Sequence, residues 1–180
     1  IWSANLSGAF AAARRGVMRP VDIVYGDDLR QEDVRQELYH KIKKEKPKLV
    51  WLAPPCTAGC GFSRLNFSKQ ELRRRRRKEK VFIELMDEIM LLQLAGGRDV
   101  IVENPLTSDL WRDPTMARWC SDRSMSFFRT DLCQYGMTSL DEKELLRKPI
   151  KLLATNAVYK EELEARCDDL HSHRVIQGDR

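Results

Sequence analysis

Apolar residues fall into short runs separated by longer, mostly charged stretches. Val21 to Tyr25 and Lys48 to Leu52 are β-branched or aliphatic and read as strands. Gln31 to Lys46, between them, has helical spacing, so the three segments predict a βαβ unit. Pro47 stops the helix, and Pro54-Pro55 stops a second strand whose nearly continuous apolar run suits a sheet covered on both faces. Ser68 with Glu71 three residues on forms a capping box, opening a long helix that runs to Ala95 before Gly96-Gly97. Its first half is nearly all charged, whereas Phe82, Leu85, Met86, Ile89 and Leu92 make an apolar stripe, so only the second half can pack on a sheet. Asp99 to Glu103 reads as a third strand, followed by a short helix around Ser108 to Cys120. Ser126 to Arg129 and Ile150 to Thr155 read as further strands, antiparallel at one edge, and Lys160 to Arg180 as a helix followed by an extended tail. Strands alternating with helices predict an α/β fold with a doubly wound, mainly parallel sheet.

Composition narrows this picture. With 180 residues, 42% of them apolar, the chain is sized for one domain, a core over 1–156 with a tail over 157–180. The net charge of +5 matters less than its distribution, because Arg73 to Arg77 form an unbroken run. Five cysteines, an odd number in a chain that needs no covalent staples, imply reduced thiols in an intracellular compartment, nuclear in a eukaryote. No apolar run approaches the roughly 18 residues of a membrane span. The chain opens at Ile1-Trp2-Ser3 without a methionine, so a further strand is expected upstream.

Candidate chemistry gathers where such sheets bind ligands, beyond the carboxyl ends of strands. Three of these ends carry unusual residues: Gly26-Asp27-Asp28, Ala53-Pro54-Pro55-Cys56-Thr57 and Val102-Glu103-Asn104-Pro105. The second continues through Ala58-Gly59-Cys60-Gly61-Phe62-Ser63. It resembles the cysteine loop of the DNA cytosine-5 methyltransferases, Pro-Cys-Gln followed closely by Phe-Ser, with the Phe-Ser displaced by about three residues. Val102-Glu103-Asn104-Pro105 is similar to that family's Glu-Asn-Val motif, with proline in place of valine. The order of the parts agrees over about 1–156, although only these two motifs are specific.

The resemblance implies a Rossmann-like methyltransferase sheet that lacks its first strand and a target-recognition domain. It implies S-adenosylmethionine as methyl donor and DNA as substrate, RNA remaining open. Cytosine is a poor nucleophile at carbon 5 until a thiolate adds to carbon 6, which gives Cys56 the nucleophile's part. A carboxyl that holds the ring nitrogen and exocyclic amine balances the developing charge, which gives Glu103 its part. Asn104 would hold the turn or the glutamate. Basic neighbours, Arg64 being nearest in sequence, would depress the thiol's pKa. On the cofactor side, Trp2-Ser3 stands where an aromatic-x-glycine turn is expected, Asp27 and Asp28 suit a ribose-binding acidic end, and Pro54-Pro55 stiffens the wall. Arg147 or Lys148 falls where the family has a basic motif, without matching it.

Other readings stand beside these. A cysteine after a strand is often a small buried hydrophobe, and Cys60 competes with Cys56 within the loop. Arg73, Arg74, Arg75, Arg76 and Arg77 encircle a helix, which suits phosphate contact better than intrahelical pairing, yet such runs are often only solvated. Cys167, His171 and His173, with Cys120 or Cys133 as a fourth ligand, invite a zinc reading. Their spacing matches no common finger, so no metal is expected and the histidines read as surface or packing residues. Trp111 and Trp119 read as core. An amino-group methyltransferase ranks below these, because Ala53-Pro54-Pro55-Cys56 lacks that motif's polar head and aromatic end. A silent nucleic-acid-binding module on the same fold is the alternative from a different class.

Overall fold

The computed structural model describes residues 8, 11–14, 16–56, 59–60, 63–139 and 144–174. The chain divides into two compact units, 1–45 and 46–180. In the first, helix α1 spans Glu32–Glu45, with Glu32 and Asp33 in its first turn and Lys43 and Lys44 in its last, the arrangement that complements the helix dipole. The strand expected over Val21 to Tyr25 is instead a 3-10 turn, Ile23–Tyr25. The Asp22 carboxylate accepts the Val24 amide at 3.0 Å, and Gly26 closes the turn at φ 90°. That local capping competes with strand pairing, and the predicted βαβ unit around α1 is lost with it.

The second unit holds the sheet. Its elements are β1 Leu49–Leu52, α2 Ser63–Asn66, α3 Lys69–Ala95, β2 Asp99–Pro105, α4 Pro114–Ser121, β3 Ser126–Asp131, β4 Leu145–Leu146, β5 Pro149–Ala154, α5 Ala157–Leu163 and β6 His173–Arg174. Helix α3 begins as the capping box requires, with Ser68 accepting the Glu71 amide. The helix expected around Ser108 to Cys120 is split into a 3-10 turn, Asp109–Arg112, and α4. Asp113 breaks it by capping the Thr115 amide, with Pro114 in the first turn, where a missing N–H costs nothing.

Among the described residues, four strands form one sheet in the order β1-β2-β5-β3. β1 and β2 are parallel, joined by α3, whereas β5 is antiparallel to both β2 and β3. The sheet is therefore mixed rather than mainly parallel; the β3–β5 pair is antiparallel at one end of it, as expected, with β5 the inner strand of the two. β1, β2 and β3 nonetheless run in one direction, so their carboxyl ends share one rim with the start of β5. A second, two-stranded sheet pairs β4 with β6 in parallel.

Period-two alternation sorts the side chains. Val100, Val102 and Leu153 pack with Met86 and Met90 of α3, Trp111, and Met116 and Trp119 of α4. Ile101, Phe128, Ile150, Leu152 and Ala154 form the other core, covered by Tyr159 and Leu163 of α5. Trp111 and Trp119 are core residues, as expected. No helix is long and apolar enough to cross a membrane among the described residues.

Candidate functional site

The rim where β1, β2 and β3 end carries Pro54, Pro55, Cys56, Glu103 and Asn104. Beyond β1 the Cys56 carbonyl accepts the Gly59 amide at 3.1 Å and the Cys60 amide at 3.0 Å, which closes a turn. Asp109 donates its amide to the Gly59 carbonyl at 2.8 Å, which holds this turn against the segment that follows β2. A Cβ at Gly59 would lie 3.5 Å from the Ser108 hydroxyl, ordinary contact that leaves little slack. Ser63 is buried and donates its hydroxyl to the Cys60 carbonyl.

Asn104 supplies the second tie. It is only 3% exposed, and its Nδ2 donates to the Pro54 carbonyl at 2.9 Å. Of the two roles expected of Asn104, holding the turn is the one the structure displays. Its Oδ1 finds no partner among the described residues. Glu103, one position earlier, projects to the opposite face of β2, where the Trp51 indole donates to its Oε2 at 3.2 Å.

Cys56 lines a cleft of about 520 Å³ walled by Pro54, Pro55, the middle of α3 and the Asp109–Arg112 turn. Phe82, Ile83 and Leu110 give it apolar surface, and Arg76, Arg77, Lys80 and Arg112 stand with Glu79, Asp109 and Asp113 around it. Glu103 is not among the residues lining this cleft. The two groups share one neighbour instead, because the charge of Lys148 acts on both.

The electrostatics run against an activated thiol. Burial pushes the Cys56 thiol up, Cys60 adds to the rise, and Lys148 opposes it. The depressed pKa expected of this cysteine is thus corrected: desolvation outweighs the nearby cation. Burial also raises the Glu103 carboxyl above the usual carboxylate range, with the Trp51 hydrogen bond and Lys148 pulling the other way.

The arginine run is less open than its sequence suggests. Arg74 and Arg75 both pair with Glu71 at 2.9 Å, and Arg75 also lies 4.1 Å over the Phe67 ring. Those pairs correct the expectation that the run avoids intrahelical pairing. Glu71, held by Arg74 and then Arg75, titrates at about 2. Arg76 pairs with Asp109, Arg77 lines the cleft and Arg73 is exposed. Trp2, Ser3 and the Arg64 side chain lie outside the described residues. In the first unit, Asp27 pairs with Arg19 at 2.6 Å. Asp28 accepts Arg30 at 2.7 Å, which lowers its pKa to about 2.

At β3's end of the rim the structure assembles a group that sequence spacing left open. Cys133, in the 3-10 turn Leu132–Tyr135, meets Cys167, His171 and His173, their ligand atoms all within 4.8 Å of one another. Cys120 does not join them; it packs against the α3-side core. The C-terminal segment is brought there by Asp131, fully buried, which accepts the Cys167 amide at 2.9 Å and is gripped by Arg129. No protein-family model, curated protein or solved structure matches the chain.

Proposed function

We propose that the chain is an S-adenosylmethionine-dependent methyltransferase acting at carbon 5 of cytosine in DNA, with Cys56 as nucleophile. The observation that carries this reading is the Asn104–Pro54 hydrogen bond. It ties the Glu-Asn-Pro turn to the Pro-Pro-Cys loop at the ends of two adjacent parallel strands. On this reading the mixed sheet is one flank of a Rossmann-like methyltransferase sheet. The cleft beside Cys56 is of a size that takes a nucleoside, and its arginines and Lys80 suit the flanking phosphates.

The chemistry assigns each group a task. The Cys56 thiolate adds to carbon 6, the methyl group passes to carbon 5, and loss of the carbon 5 proton then expels the sulfur. S-adenosylmethionine would supply the methyl group when bound and leave as S-adenosylhomocysteine. Glu103, raised by burial, is suited to hold a proton, but it lies outside the cleft on the far face of β2 and serves the ring nitrogen on this reading only where the base reaches past the cleft to that rim. Lys148 favours the thiolate.

The full chain incubated with S-adenosylmethionine and 5-fluorocytosine DNA should give a covalent adduct by intact mass, absent in Cys56→Ser. Glu103→Gln should slow its formation by roughly 10²-fold or more. An adduct persisting in Cys56→Ser would remove Cys56 from the mechanism. The second reading, a silent nucleic-acid-binding module, is favoured by the raised thiol of Cys56. It predicts salt-dependent DNA binding with no adduct and no S-adenosylmethionine binding by calorimetry.

A further inference from the structure

We infer that Cys133, Cys167, His171 and His173 form a closed tetrahedral zinc site that clips the C-terminal segment to the end of β3. This inference does not depend on methyl transfer. The donors come from two stretches distant in sequence. Cys133 lies just past β3, and Cys167 to His173 follow α5, yet all four ligand atoms lie within 4.8 Å of one another.

The spacing is that of a coordination shell. Cys167 Sγ lies 3.6 Å from His171 Nε2 and 3.4 Å from His173 Nε2. Zinc bonds of about 2.3 Å to sulfur and 2.0–2.1 Å to nitrogen at the tetrahedral angle put sulfur and nitrogen roughly 3.6 Å apart. Both imidazoles present Nε2 to the same sulfur, and their rings meet edge to face at 4.5 Å, so each leaves its Nδ1 outward. On His171 that Nδ1 lies 3.7 Å from the Asp168 carboxylate, the kind of outer partner that orients a ligating imidazole. The Asp169 amide donates to Cys167 Sγ at 3.3 Å, an outer contact that fixes the direction of a ligating sulfur.

Packing alone gives weak reason for this arrangement. β4 and β6 are two residues each, and so short a ribbon is marginal without a brace. Leu170, within the ligand segment, is 87% exposed and so does not anchor the loop. The anchors are polar: buried Asp131 holds the Cys167 amide, and Arg147 pairs with Asp169 at 2.6 Å. Two thiolates and two imidazoles in a tetrahedron leave no open position, which fits a structural zinc ion rather than a catalytic one.

Metal analysis of the full chain, expressed with added zinc and dialysed exhaustively, should find about one zinc per chain. Cys133→Ser, Cys167→Ser, His171→Ala and His173→Ala should each abolish stoichiometric retention, while Cys60→Ser should not. Asp168→Ala should weaken zinc binding towards the low end of the roughly 10–100-fold typical of outer partners. Should a ligand variant fail to fold, the wild type still decides. A chelator should expose two further thiols to a thiol reagent, and added zinc should protect them again. Metal-free protein with both thiols already reactive, a Cys133–Cys167 disulfide by mass, or zinc retention unchanged by the ligand substitutions would each overturn the inference.

Discussion

Replacing Asn104 with aspartate probes the tie on which the shared rim depends. The side chain is 3% exposed and its Nδ2 donates to the Pro54 carbonyl at 2.9 Å. Asn104→Asp keeps the shape but puts an oxygen where the donor was. If ionised, the carboxylate faces a carbonyl oxygen in a buried setting; if protonated, it can donate to Pro54 again. Burial therefore raises its folded pKa above the unfolded value of about 3.9. The sign follows: little stability is lost below that value, and the loss grows as pH rises, at about 1.36 kcal/mol per pH unit until the folded pKa is reached. At pH 7 the ceiling is about 4 kcal/mol. Asn104→Ala, which only leaves the Pro54 carbonyl unmatched, should cost about 1–3 kcal/mol at every pH. Urea unfolding followed by tryptophan fluorescence at pH 5 and 8 separates the two variants, and iodoacetamide labelling of Cys56 reports whether the loop is released. A loss in Asn104→Asp that is the same at both pH values would refute the buried tie. Unchanged Cys56 labelling in a destabilised variant would refute its hold on the loop.

Lys148→Gln removes a charge that lowers both Cys56 and Glu103, so the pH profile of Cys56 alkylation should move to higher pH; an unmoved profile would dismiss Lys148 as their shared neighbour. Tyr159 is pushed up to about 12 by burial and then by its hydrogen bond to Asp99. Its contribution is complete below the unfolded value near 10 and is lost between about pH 10 and 12, so Tyr159→Phe should be destabilised by about 1–2 kcal/mol at pH 8 and less at pH 11.5, as read by denaturant midpoints. Glu71→Gln frees Arg74 and Arg75 from their pairs and should strengthen DNA binding while steepening its salt dependence; a fluorescence anisotropy titration showing no change would mean that these arginines do not meet phosphate.

Local signals proved readable and long-range pairing did not. The ends of α3 were legible because Ser68, Glu71 and Gly96 act within one turn of the chain. β1 was legible as an apolar run between Pro47 and Pro54, and β2 as one that follows Gly96-Gly97. Strand direction was legible in part: Ser126–Asp131 and Pro149–Ala154 are antiparallel to each other, as expected, but no local signal said that Pro149–Ala154 would also pair antiparallel to β2 inside the sheet. Val21 to Tyr25 misled because an aspartate cap and one left-handed glycine outweigh β-branched composition when the apolar side chains stay exposed, Val24 at 73%. The pairs of Glu71 with Arg74 and Arg75 lie at the three- and four-residue spacings a helix brings together, so that signal was present in the sequence and missed. Pairing Cys133 with the distal cysteine and histidines required the Asp131 contact to Cys167, a link between distant segments that no spacing announces.

These two groups of residues are mechanically connected. The Lys148 carbonyl accepts the Leu132 amide at 3.1 Å, one residue before Cys133, and β4, paired with the strand that contains His173, ends two residues before Lys148. Arg147, between them, pairs with Asp169. If the four ligands hold zinc, the ion braces the backbone on both sides of the lysine whose charge reaches Cys56 and Glu103. Chelation should then loosen Lys148 and move the Cys56 alkylation profile to higher pH, in the same direction as Lys148→Gln and without any substitution in the cleft. In a Lys148→Gln background the same chelation should add little, because the charge it displaces is already gone. A zinc-loaded protein that loses its metal with no change in that profile would show the clip and the cysteine cleft to be independent, leaving the zinc site intact as a brace but severing its link to the chemistry of Cys56.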